Sequence, residues 1–230
     1  LNSNVKYRIK FSKLSRMRFI GHLDLLALFQ RCMKRTGLPI SYSKGFHPHQ
    51  IMSFALPLSL GMGSVGEYVD VEFDTEEDVN EVLRRFNKIA PEDLRTLEVR
   101  KLKQGEKNGA SIVEAGIYKI TLPKDSLITQ AEIKEMLSQE EILILKKTKK
   151  KEEVEINVRP YIFEASFDLG GDIHLLIASG SKENLKPDVV INYLYEKVGQ
   201  TYNPYRVYYL RENLLKKQNN TFISVMEVSE

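Results

Sequence analysis

Three of the four histidines in this 230-residue chain, His22, His47 and His49, fall within its first fifty residues. Ten bases share that stretch (Lys6, Arg8, Lys10, Lys13, Arg16, Arg18, Arg31, Lys34, Arg35, Lys44) with one acid, Asp24. An imidazole titrates near neutral pH, so it can move a proton, donate to a phosphate or ligate a metal. A guanidinium fits two oxygens of one phosphate, and each phosphate neutralised releases counterions. Together these residue types predict a polyanionic or phosphate-bearing partner, contacted by Lys13, Arg16, Arg18, Arg31, Lys34, Arg35 and Lys44. Arg31, Lys34 and Arg35 stand three and four apart, which places them on one side of a helix. The plainer alternative is a solvated surface balanced by the acids of 76–81.

The histidines admit sharper chemistry. In the sequence GHLD, His22 and Asp24 flank Leu23 at a helix start, where either residue is a candidate for proton transfer. The simpler reading has Asp24 capping the helix and His22 bracing the loop. His47-Pro48-His49 holds two imidazoles apart on a stiffened backbone; with His22, and Asp24 as a fourth ligand, they are candidates for zinc. No thiolate pair and no HExxH accompanies them, and GMGSVG is not a dinucleotide fingerprint, so no metal or cofactor is assigned to the chain. The catalytic alternatives are a metal-independent RNA nuclease centred on His22 and a metal-dependent hydrolase using His22, His47 and His49.

Tyr42, Gly45, Phe46, Gly61 and Gly63 are candidates for orienting a substrate from loops. Gly61, Gly63 and Gly66 crowd LSLGMGSVGE, and read as a turn before a strand at Glu67 or as a ligand clasp. Phe46, Phe54 and Met62 either stack on bases or pack beneath these loops, and packing is the simpler expectation. The tract KKTKKK at 146–151 is bracketed by glutamates and reads as a solvated hairpin tip. Lys186 with Ser179 to Ser181 marks a minor second anion site at a helix start.

Composition sets the outer bounds. The net charge of +3 hides the polarity of the first hundred residues, because 51–100 carry eleven acids against five bases. With 42% apolar and 28% charged residues the chain is ordinary for a globular protein. No apolar run approaches the roughly 20 residues of a membrane span, and no signal-peptide core opens the sequence. The single cysteine, Cys32, cannot close an internal disulfide and falls on the apolar side of a helix. These features point to the cytoplasm, with no membrane contact.

Periodicity supplies the elements that must position these groups. VKYRIKF alternates as a strand over 5–11, and a helix over about 23–36 carries Leu25, Leu26, Phe29, Cys32 and Met33 inward, ending at Gly37. A short strand at 40–43, a strand over 67–73, a helix capped by Thr75 and a strand over 94–102 complete a β-α-β-β-α-β order. QGEKNG at 104–109 reads as a linker. Beyond it come a strand at 115–122 and a helix at 129–138 with Thr129 and Glu132 as a capping box. A hairpin over 141–159, a Gly170-Gly171 hairpin over 163–179, a helix at 187–198 and a strand at 205–210 follow. The expected fold is α+β. It has a basic, His-bearing ferredoxin-like domain over 1–104, a second α+β domain over 110–212, possibly ferredoxin-like too, and a C-terminal tail over 213–230.

The segments RFIGHLDLLALFQRCMKRTGLPISYSKGFHPHQ, SFALPLSLG and GEYVDVEF, with the later VEINVRPYI, FDLGGDIHLLI and NLKPDVVINYL, resemble a bacterial family. It is the uncharacterised DUF2344 domain found beside or fused to radical SAM proteins. The matching positions are His22, Leu23, Asp24, Tyr42, Ser43, Gly45, Phe46, Pro48, Gly61, Glu67, Tyr68, Arg159, Pro160 and Pro187. His47 stands where the pattern often has Asn, and Gln50 and Ile51 where Lys or Pro is common. The resemblance implies a radical SAM protein as partner, one that would use S-adenosylmethionine and an iron–sulfur cluster. One cysteine cannot supply the three thiolates of such a cluster from this chain. The function expected is a non-catalytic accessory protein that binds RNA or another phosphate-bearing substrate. Besides the enzymes named above, the alternative is a purely structural partner docking through Phe222 to Val228.

Overall fold

The computed structural model describes residues 4–147 and 153–228, which form two compact units. Leu1–Val113 together with Arg211–Glu230 makes the first, and Glu114–Leu210 the second. The boundary follows Val113 rather than the polar QGEKNG stretch, and the C-terminal residues join the first unit instead of forming a tail.

The first unit opens with β1 (Val5–Lys13), α1 (His22–Arg35), β2 (Met52–Phe54), β3 (Gly63–Phe73), α2 (Val79–Ile89), β4 (Thr96–Lys101) and the short α3 (Gly109–Ile112). β1 lies between β3 and β4 and is antiparallel to both, with Ile9 opposite Val69 and Val99. β2 pairs antiparallel with β3, giving the order β4-β1-β3-β2. Ile40 and Tyr42 make only isolated bridges, to Phe73 and Gln50, where a short strand was expected.

Alternation along β1 sends Tyr7, Ile9 and Phe11 into an apolar core under the two helices. There they meet Leu25, Phe29, Cys32 and Met33 of α1 and Val82 and Phe86 of α2; the Phe29 and Phe86 rings lie 4.5 Å apart. Cys32 is buried, and burial raises its thiol pKa, with Arg35 and Arg31 opposing. α1 ends as its sequence predicts, with Gly37 at φ +71. The cap of α2 is a correction. Asp78, not Thr75, accepts from the N–H groups of Asn80 and Glu81, because the helix begins one turn later.

The second unit comprises β5 (Ala115–Thr121), α4 (Gln130–Ser138), β6 (Leu143–Lys147), β7 (Glu153–Asn157), β8 (Ile162–Phe167), β9 (Asp172–Ala178) and α5 (Pro187–Lys197), then the start of β10 (Tyr208–Gln218). β5, β9 and β8 are successive antiparallel neighbours, while β6 and β7 form a separate two-stranded sheet. Thr129 and Glu132 form the expected capping box, and Gly171, at φ +83, turns the β8–β9 hairpin. Arg159-Pro160-Tyr161 forms one turn of 3-10 helix between β7 and β8.

From Arg211 the chain re-enters the first unit through the rest of β10 and β11 (Thr221–Ser224), an antiparallel hairpin. Leu214, Val225, Met226 and Val228 pack with Ala55, Tyr68, Ile112 and Val113 as a second apolar cluster. The Phe222 to Val228 segment is thus an edge strand and a packed turn, which removes Val225, Met226 and Val228 from any docking surface. β3 starts at Gly63, four residues before the expected Glu67. Gly66 lies inside it, and a Cβ there would sit 2.6 Å from the Asn213 Cα. That glycine admits the neighbouring backbone of β10. The turn belongs to Gly61, at φ +87.

No helix among the described residues is long and apolar enough to cross a membrane.

Candidate functional site

The bases of the first fifty residues divide into two populations. Arg8 is fully buried: its guanidinium donates to both Asp70 oxygens at 2.8 and 2.9 Å and to the carbonyls of Val225 and Lys107. Lys6 pairs with Glu72 at 3.1 Å. Asp70 is therefore a buried counter-charge, while Glu72 meets Lys6 at the surface. Lys13, assigned from sequence to the phosphate-binding set, is only 2% exposed and donates to the Ile20 carbonyl at 2.9 Å. Burial lowers its pKa, against the pull of Glu67 and with a smaller push from Arg211. A register irregularity between Phe11 and Lys13 breaks the alternation of β1 there, so Lys13 is not available to a phosphate.

Arg16, Arg31, Lys34, Arg35 and Lys44 are exposed, and among the described residues none makes an ion pair. α1 presents Arg31, Lys34 and Arg35 on the side opposite its buried stripe. The acids expected to balance them are engaged elsewhere: Glu76 pairs with Lys101, and Glu81 with Arg84 and Arg85 of its own helix. Arg18 is half-buried, its guanidinium 4.7 Å from the centre of the Phe19 ring.

Two loops are fastened beside this helix. The Gly61 N–H donates to the Arg18 carbonyl at 2.8 Å, tying the glycine turn to the turn of 15–19. The loop of 43–49 is closed by Ser43 N–H to the His49 carbonyl at 2.8 Å, and by the Ser43 hydroxyl, 2.8 Å from His49 Nδ1. Gln50 Nε2 donates to the Gln30 carbonyl of α1 at 3.1 Å and lies 3.4 Å from the Tyr42 hydroxyl. Lys44, Gly45, Phe46 and His47 form the exposed tip, with Gly45 at φ +121. Gly63 does not share this loop surface, being buried in β3.

Of the histidines, His49 braces its loop and His22 stands edge-on to the Phe54 ring at 5.5 Å. Asp24 makes no cap hydrogen bond. Gly21 holds the N-cap position, and Asp24 sits in the first turn, where its charge suits the helix dipole. Among the described residues no three His, Cys, Asp or Glu side chains gather closely enough to hold a metal ion, so His22, His47 and His49 form no ligand set.

Phe46, Phe54 and Met62 part company. Phe54 packs against Phe11 and Phe29, and Met62 is buried, but Phe46 is wholly exposed. Phe19, Leu23 and Leu60 are also largely exposed, and neither Phe19 nor Leu60 stands out among the sequence motifs. Leu23 carried a usable signal, since it falls outside the helical stripe of Leu25, Phe29, Cys32 and Met33. In the second unit Ser179 is fully buried, 3.5 Å from the Tyr118 hydroxyl, so it cannot join Lys186 in an anion site. In the lysine tract of 146–151, residues 148–151 and the side chains of 146 and 147 lie outside the described residues.

The class defined here is an α+β protein whose basic helix pairs with no acid among the described residues and which carries two fastened loops. The chain belongs to the family described as an uncharacterized protein conserved in bacteria, DUF2344, whose match covers residues 6–187. No curated protein matches it.

Proposed function

We propose that this chain is an accessory protein that holds RNA, or another phosphate-bearing substrate, for a separate radical SAM enzyme. The observation that carries the phosphate-binding part is the set of exposed bases Arg16, Arg31, Lys34, Arg35 and Lys44 with no carboxylate partner among the described residues. Arg31, Lys34 and Arg35 stand together on one side of α1, and like charges so grouped raise the local potential and draw in a polyanion. The enzymatic link rests on the resemblance noted from sequence. S-adenosylmethionine and the iron–sulfur cluster belong to the partner, since Cys32 is the one cysteine here and is buried. In this reading His22, Tyr42 and His47, all exposed, orient the substrate, and Gly45 and Gly61 shape the two loops. The strand order β4-β1-β3-β2 supports reading the first unit as ferredoxin-like, and β5-α4-β8-β9-α5-β10, with the β6–β7 hairpin inserted, supports the same plan for the second.

The test is RNA binding measured across a salt series. Affinity should fall steeply as salt rises, with a log–log slope near −0.7 per phosphate contacted on a single strand. Arg31→Glu with Arg35→Glu should weaken binding by tenfold or more and flatten that slope. Binding indifferent to salt, or to the double reversal, would sink the proposal.

A further inference from the structure

We infer that the nucleic acid taken by the first unit is an unpaired RNA strand whose bases stack on Phe46 and on the Phe19–Arg18 pair. This deepens the phosphate-binding reading above and rests on it. Phe46 is 101% exposed at the tip of a loop whose base is fastened twice, by Ser43 to His49 and by Gln50 to α1. An apolar ring held in water on a braced loop has both faces free for a flat partner. Phe19 is 59% exposed, with the Arg18 guanidinium against its ring, and so offers a second flat surface that joins aromatic and cationic character. Leu23, 76% exposed, and Leu60, 66% exposed, flank that turn, which the Gly61–Arg18 hydrogen bond holds in place.

Charge and ring placement together select the ligand class. Every base has a π-face, but a duplex uses those faces for its own stacking and shows a protein its phosphates and groove edges. An unpaired strand can engage exposed rings and, at the same time, cations that pair with no acid among the described residues. A protein partner is the competing occupant, yet lysine is depleted at protein interfaces. Phe46 stands two residues from Lys44, and Lys34 is exposed on α1. Phe54 provides the internal contrast, because its packing against Phe11 and Phe29 denies it to any ligand.

Fluorescence anisotropy with a labelled RNA of about twelve nucleotides, as a single strand and as a duplex of the same sequence, tests this. The single strand should bind at least tenfold more tightly than the duplex. Phe46→Ala and Phe19→Ala should each weaken the single strand about fivefold or more, leaving duplex affinity, salt slope and melting temperature unchanged. The chain has no tryptophan, so Phe46→Trp places a unique reporter, and its emission should be quenched by the single strand and not by the duplex. If the Phe variants bind like wild type while Arg31→Glu/Arg35→Glu does not, stacking is refuted and the phosphate reading stands. Equal affinity for duplex and single strand has the same meaning. If neither RNA form binds, both readings fall.

Discussion

Arg8 and Arg31 are the same residue type in the same unit, and they do opposite work. Arg8, with Arg211 on β10, lies in the interior and is satisfied on all sides. Arg211 pairs with both Glu67 oxygens at 2.8 and 2.6 Å and donates to the Leu56 carbonyl. Arg31, with Lys34 and Arg35, faces solvent with no acid beside it among the described residues. A desolvated guanidinium must have a carboxylate and carbonyls around it, or the fold does not survive. A hydrated one needs nothing and keeps its charge for a ligand. Charge density in a sequence window therefore mixes two populations, and only their partners separate them.

The largest effect should come from the interior set. Arg8→Ala leaves Asp70 buried and unpaired and should cost about 3–5 kcal/mol in urea unfolding; a loss within 1 kcal/mol would mean that the pair is not desolvated as described. Replacing Arg211 by Met together with Glu67 by Leu should be far milder than either single change, because no orphaned charge remains. Gly66→Ala sharpens the same contrast through backbone packing. Its methyl meets the β10 main chain, and melting should show a loss of about 1–3 kcal/mol.

Tyr68 extends the comparison to pH. Its phenol touches Asn213 and Ser224, and burial pushes its pKa up to about 12 from the usual 10. A group whose folded pKa is raised contributes stability that is intact below the unfolded value and is lost as pH climbs through the folded one. Stability should thus decline between about pH 10 and 12, and Tyr68→Phe should flatten that decline; an unchanged alkaline profile would refute the assignment. The smallest effect on stability belongs to the outer set. Arg31→Glu with Arg35→Glu should shift unfolding by no more than about 0.5 kcal/mol, while changing RNA affinity most.

Local rules were legible in the sequence and distant ones were not. The Thr129–Glu132 capping box, the Gly37 terminator and the Gly170-Gly171 hairpin depend on a few adjacent residues, and each forms as read. The separation of Lys13 from Arg16 depends on an irregularity in β1 and on Glu67 and Arg211, which lie far along the chain. No window around Lys13 holds that information. Gly66 was read as part of a turn because its reason, the backbone of Glu212 and Asn213, lies well over a hundred residues away. Phe46 shows the opposite failure. Apolar character argued for packing, and the structure gives that ring no cover.

The return of Arg211–Glu230 to the first unit has a consequence for synthesis. A ribosome releases the strands around Arg8 long before it makes Val225, whose carbonyl that guanidinium needs. During the interval the whole of Glu114–Leu210 must emerge while the earlier half waits. Nascent chains halted before residue 211 would carry an ion pair stripped of one of its walls, and protease should cut them in the first-made half.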